Sequence, residues 1–140
     1  MSQVVIIIPA FEPDRRLLKL VRELQKNFAD FIVVDDGSRT AAALFDELHT
    51  QVGVNVLAHD MNRGKGAALK TAFTELLRRY PDALGAVTVD ADGQHLPKDV
   101  VRVAATLRQY PDRLTLGVRT FSKDIPFRSR LGNLWTLAEF

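Results

Sequence analysis

A chain of 140 residues, 46% apolar and 26% charged, has the size and composition of one globular domain with a substantial core. Its formal net charge of +2 is too small to argue for a nucleic-acid partner. The absence of cysteine excludes disulfides, thiolate metal sites and cysteine nucleophiles together.

Val4–Ile8 is a continuous apolar run closed by Pro9, the pattern of a strand buried on both faces. Asp14–Phe28 follows with Leu17, Leu18, Leu20, Val21, Leu24 and Phe28 at helical spacing, and Pro13 stands where a first-turn proline is tolerated. A second strand is expected over Phe31–Val34, a helix over Ala41–Leu48 with Leu44, Phe45 and Leu48 on one face, and a third strand over Val54–Ala58. Lys65–Tyr80 reads as a strong helix with Ala68, Leu69, Ala72, Phe73, Leu76 and Leu77 inward. A strand over Ala86–Val89, a helix over Lys98–Tyr110 and a fifth strand over Leu114–Val118 complete the alternation. The last run, Leu131–Phe140, reads as a helix in progress with no C-cap, which predicts a piece of a longer protein. Such alternation predicts an α/β fold: a mainly parallel sheet with helices on both faces.

In open parallel sheets, ligands bind beyond the carboxyl ends of the strands. Here those ends carry Phe11 and Glu12, then Asp35 and Asp36, then His59 to Asn62, then Asp90 and Asp92, then Arg119. Asp90-Ala91-Asp92-Gly93-Gln94-His95 is the strongest signal. Two carboxylates one residue apart at the end of a buried strand repel each other unless a partner holds them. Oxygen-only ligands point to Mg2+ or Mn2+, with Gln94 and His95 as further metal or phosphate contacts. The same residues also suit an acidic turn before Pro97, with Asp92 accepting local amides. Asp35-Asp36-Gly37-Ser38 suits either ribose and base recognition or a turn that caps the next helix; two adjacent aspartates are more than a cap needs.

Asn62-Arg63-Gly64-Lys65-Gly66 is a glycine-rich helix entry that permits close approach to phosphate. It matches neither the dinucleotide fingerprint nor the P-loop, and a purely structural role fits it equally well. Arg119, Lys123, Arg128 and Arg130, with Phe121, Pro126 and Phe127 between them, form either a phosphate clamp or a solvated loop. His49 reads as structural, and His59 lies at the edge of the site.

Four of these stretches, Ile6-Ile7-Ile8-Pro9-Ala10-Phe11, Val33-Val34-Asp35-Asp36-Gly37-Ser38, Asn62-Arg63-Gly64-Lys65-Gly66 and Val89-Asp90-Ala91-Asp92-Gly93-Gln94-His95, resemble in order the motifs of family 2 glycosyltransferases. Gly117-Val118-Arg119 followed by Arg128-Ser129-Arg130-Leu131-Gly132-Asn133 resembles the next block of that family's polyprenol-phosphate branch. The resemblance implies the GT-A fold, a Rossmann-like α/β/α sandwich, and inverting transfer from a UDP- or GDP-sugar with Mg2+ or Mn2+. It puts Asp35 and Asp36 on the base and ribose, Pro9, Phe11 and Glu12 at the first nucleotide-contacting strand end, and Lys65 near the nucleotide. Asp90, Ala91 and Asp92 fall in the metal-binding acidic motif, with Gln94 as an extra ligand. Asp92, Arg119, Arg128 and Arg130 form the catalytic set, the arginines neutralising the diphosphate or an acceptor phosphate.

There are departures: Glu12 stands for the usual Asn of the first motif and Pro13 for its Glu, and Arg39 and Thr40 follow Ser38 where an acidic residue is common. Residues 1–140 are expected to be the nucleotide-sugar-binding part of a single domain that continues past Phe140, where acceptor-binding residues and, in many members, the base lie. No side chain here makes a convincing general base, which favours an acceptor already ionised, such as a lipid phosphate at the cytoplasmic membrane face. With no signal peptide and no apolar run near ~18 residues, the expected location is cytoplasmic, peripheral to that membrane. Two other readings are a nucleotidyltransferase on a related fold and a response-regulator-like phosphoacceptor module. The first lacks its glycine-rich loop after strand one; the second would carry its acidic pair there.

Overall fold

The computed structural model describes residues 3–117. The elements run β1 (Val4–Ala10), α1 (Arg16–Leu24), β2 (Asp30–Asp35), α2 (Ala42–Gln51), β3 (Asn55–Ala58), α3 (Lys65–Arg79), β4 (Gly85–Thr88) and α4 (Pro97–Gln109). The strands pair in the order β3-β2-β1-β4, every pair parallel.

Strand alternation sends successive side chains to opposite faces of this sheet. Val4, Ile6, Ile8, Phe31, Val33 and Val87 pack against α1, α2 and α4 through Leu17, Leu24, Phe45, Leu48, Val100 and Ala104. Val5, Ile7, Ile32 and Val34 pack on the other face against Ala68 and Ala72 of α3. Covering both faces explains the unbroken apolar strands, and each fully buried Val, Leu or Ile contributes roughly 1.5–3 kcal/mol. The result is the expected α/β/α sandwich. The chain runs outward from β1 to β2 and β3, then α3 carries it back across the other face to β4. The reversal lies between β1 and β4, where such sheets leave a crevice at their carboxyl edge.

Four expectations are corrected, the last of them at Pro9. Residues 114–117 form no strand among the described residues, and Leu114 and Leu116 are exposed rather than laddered; Val118 lies outside the described residues. On α3, Phe73 and Leu77 face outward at 43% and 74% exposure. The helix buries a narrower stripe, Ala68 and Ala72 with Leu69 and Leu76 beside them, because only one sheet face lies beneath it. The first helix begins at Arg16, not Asp14, because the Asp14 carboxylate accepts the Arg16 N–H at 2.9 Å and holds a turn ahead of it. Pro13 therefore precedes the helix.

Pro9 does not end β1; it shapes how the strand pairs. Ile7 O accepts the Val89 N–H at 2.9 Å on the β4 side, and Ala10 O accepts the Asp36 N–H at 2.8 Å on the β2 side. In a parallel ladder a residue's N–H and C=O face the same neighbour, so Pro9 faces β4 like Ile7. Proline has no N–H to offer there. The β1–β4 ladder stops while β1 continues beside β2 as far as Asp35.

Candidate active site

Beyond that last rung lies a cleft of about 330 Å³ lined by Phe11, Glu12, Pro13, Asp14, Arg16, Lys65, Asp90, Ala91 and Asp92. It sits at the reversal of strand order, between the carboxyl ends of β1 and β4. The sequence-predicted residues Phe11, Glu12, Lys65, Asp90, Ala91 and Asp92 all reach it.

On the β4 side, the Asp90 N–H donates to His95 Nδ1 at 3.0 Å. The proton of a neutral ring then sits on Nε2, 3.8 Å from Asp90 Oδ2. His95 thus takes over as acceptor where the ladder ends. Asp90 pairs with the Lys65 ammonium at 2.5 Å, across the cleft entrance from the start of α3. Asp92 Oδ1 accepts the Gln94 N–H at 2.9 Å, a tight turn that places Gly93 at φ +77°. Gln94 itself does not line the cleft.

On the β1 side, Phe11 is 54% exposed and offers a free aromatic face. Glu12 holds the left-handed conformation at φ +44°. Its carboxylate accepts the amides of Arg39 and Thr40 and the Thr40 hydroxyl, while its own N–H donates to Ser38 Oγ at 2.8 Å. The Arg39 amide and the Thr40 hydroxyl hold the Glu12 carboxyl below the ordinary carboxylate range. Glu12 therefore ties the end of β1 to the loop after β2. Arg16, absent from the sequence reading, enters the cleft from α1. It pairs with Asp14 at 2.8 Å, which raises the guanidinium's pKa and lowers that of the carboxyl. Its side chain lies 3.5 Å from where a Cβ on Gly93 would stand. A lone Arg at a helix start carries no motif; only its place after β1 pointed to it.

The acidic pair after β2 is divided, and neither member lines the cleft. Asp35 Oδ1 accepts the Ser38 N–H at 2.8 Å. Asp36 is buried, and its carboxylate accepts the Arg63 and Gly64 amides at 2.9 Å each and His59 Nδ1 at 2.8 Å. Burial alone pushes this carboxyl up. The bonds from Arg63, His59 and Gly64 outweigh that and bring it below its usual value. Those two amides of the glycine-rich helix entry are thus engaged by protein, not offered to phosphate. Pro9 acts through the ladder and not as part of the lining. Arg119, Arg128 and Arg130 lie outside the described residues.

Four carboxylates and two cationic side chains line the cleft. An anion entering such a place needs a further positive charge. Among the described residues no three His, Asp or Glu side chains gather as a metal cage. Two carboxylates at an open position nevertheless suit Mg2+ or Mn2+, ions of the kind held by one or two carboxylates together with water and substrate phosphate.

Comparison with known proteins bears on this geometry. Residues 5–139 match Glycosyl transferase family 2, and the chain belongs to that family. It is 32% identical over 137 residues to an uncharacterized protein, MJ1222, of Methanocaldococcus jannaschii, covering 94% of this chain and 54% of that one. It is 29% identical over 150 residues to the UDP-N-acetylglucosamine–dolichyl-phosphate N-acetylglucosaminyltransferase of Methanococcus voltae, covering 94% and 59%. It is 33% identical over 143 residues to the undecaprenyl-phosphate 4-deoxy-4-formamido-L-arabinose transferase of Pseudomonas fluorescens, covering 94% and 40%. The chain therefore spans about half the length of the curated relatives it matches. Among solved structures, 4-diphosphocytidyl-2C-methyl-D-erythritol synthase superposes with a TM-score of 0.59 over 89% of this chain and 66% of that one. At 14% identity this likeness shows the fold alone. Among the described residues no helix is long and apolar enough to cross a membrane.

Proposed function

We propose that the chain forms the donor-binding part of a glycosyltransferase that moves a sugar, with inversion, from a UDP- or GDP-sugar to a polyprenyl phosphate. The observation that carries this is the cleft at the strand reversal, where Asp90 and Asp92 face Phe11, Arg16 and Lys65. Family membership supports the reaction class, and the two named relatives support the lipid-phosphate acceptor.

Phe11 offers a stacking surface for the base. Lys65 and Arg16 reach the diphosphate, and their charge stabilises the leaving nucleotide as the sugar bond breaks. Asp90 and Asp92 would hold Mg2+ or Mn2+, which supplies Lewis-acid neutralisation of the same leaving group. An acceptor phosphate is ionised at neutral pH and attacks without a general base. Arg119, Arg128 and Arg130 are proposed to hold the acceptor or donor phosphates.

A thermal-shift panel of UDP-, GDP- and TDP-sugars, with and without Mn2+, tests this reading. Stabilisation by one nucleotide and only with metal is expected, reaching about 2.7 kcal/mol at a hundred times Kd. No shift with any donor would overturn it.

A further inference from the structure

We infer that His59 is a positioning residue for the donor cleft, acting through a buried hydrogen-bond chain that fixes the entry of α3 and with it Lys65. His59 and Asp36 have side chains only 6% and 5% exposed. His59 Nδ1 bonds Asp36 Oδ1 at 2.8 Å, and Nε2 bonds Thr71 Oγ1 at 2.8 Å. One imidazole thus links the end of β2 to the second turn of α3. The His59 backbone N–H donates to Asp35 O at 2.8 Å, extending the β2–β3 pairing by one residue.

The other Asp36 contacts give this chain its reach. The carboxylate holds the Arg63 and Gly64 amides, the last two before α3. Gly64 stands at φ +91° as the cap, and Lys65 begins the helix and extends to Asp90. The 60–64 loop is therefore fixed from the β2 side by Asp36, and the helix it enters is fixed by Thr71.

The ring keeps both bonds in either protonation state. A neutral ring donates from Nδ1 to the carboxylate and accepts the Thr71 O–H at Nε2; a protonated ring donates from both nitrogens. The same residue types build a nucleophilic triad elsewhere. Here Thr71 lies inside α3, where the helix's own backbone amides are committed to its ladder.

This role rests on the donor-site reading above. Two measurements separate the two claims: exchange of the Arg63 and Gly64 amides, and calorimetric affinity for UDP and GDP with Mn2+. Both would be made on the wild type, Thr71→Val, Thr71→Ser, Lys65→Met and the Thr71→Val/Lys65→Met double variant. Thr71→Val is expected to speed exchange at both amides about fivefold, the scale of one lost hydrogen bond, and to weaken nucleotide binding to a similar degree. Thr71→Ser should restore both. Once Lys65 is Met, Thr71→Val should cost no further affinity, because the two act as one unit. Unchanged exchange, or an equal affinity loss with and without Lys65, would overturn the inference. If the wild type binds neither nucleotide, the donor reading fails, and the exchange result alone decides whether His59 fixes the loop.

Discussion

The two halves of the carboxyl edge use the same residue type in opposite ways. Beyond β2, Asp36 is buried and meets two amides and an imidazole, so its charge is answered inside the protein. Beyond β4, Asp90 and Asp92 stand at an open cleft and meet a lysine, one local amide and, at 3.8 Å, the His95 ring. A strand-end aspartate is tied into the fold when another loop brings N–H groups to it, and stays open to the cleft when the neighbouring strands part. The deciding variable is what arrives from elsewhere in the chain, not the aspartate.

Asp36→Ala should test that division most severely. It strands the His59 imidazole and the Arg63 and Gly64 amides, and a loss of about 3 kcal/mol is expected in denaturant unfolding. A tolerated Asp36→Ala would show that both halves of the edge are alike. Asp90→Ala and Asp92→Ala should behave in reverse. Nucleotide affinity in the presence of Mn2+ should fall at least about a hundredfold by calorimetry, or ~2.7 kcal/mol. Thermal stability should move by no more than about 0.5 kcal/mol, as for exposed positions generally.

Gly37→Ala sharpens the contrast further. A Cβ there would stand 2.2 Å from the carbonyl carbon of Met61, at φ +77°. A cost of about 2 kcal/mol is expected, whereas Gly66→Ala, with open space around it, should be neutral or slightly stabilising. The smallest effect is that of acid. Asp36 has a lowered pKa in the folded state, so its stabilisation is complete above the unfolded carboxylate value of about 3.9 and is lost as pH falls through the folded value. Between pH 5 and pH 2.5, wild-type Tm should therefore fall more steeply than that of Asp36→Asn.

Order and type of the first eight elements were legible because apolar periodicity is local information. Their edges were less so. Asp14 sets the start of α1 through a side-chain bond, and Pro9 continues its strand because only one neighbour needed its N–H. Leu114–Gly117 had the apolar alternation of a strand, but among the described residues no ladder forms there. Of the residues lining the cleft, Phe11, Glu12, Asp90 and Asp92 were legible from strand-end position, and Lys65 from the glycine-rich helix entry. The separation of Asp35 and Asp36 from the cleft was not, because it depends on amides at Arg63 and Gly64 that are distant in sequence. The tie from Glu12 to Arg39 and Thr40 was hidden for the same reason. It also gives a physical sense to the departures from the family pattern, since the unusual Glu12 meets the unusual Arg39-Thr40 pair.

The missing hydrogen at Pro9 has a consequence for binding energy. The β1–β4 seam is prevented from closing by covalent chemistry, so the gap exists before anything enters it. An incoming ligand breaks no backbone bonds to make room, so none of the free energy of its contacts is spent on opening the ladder.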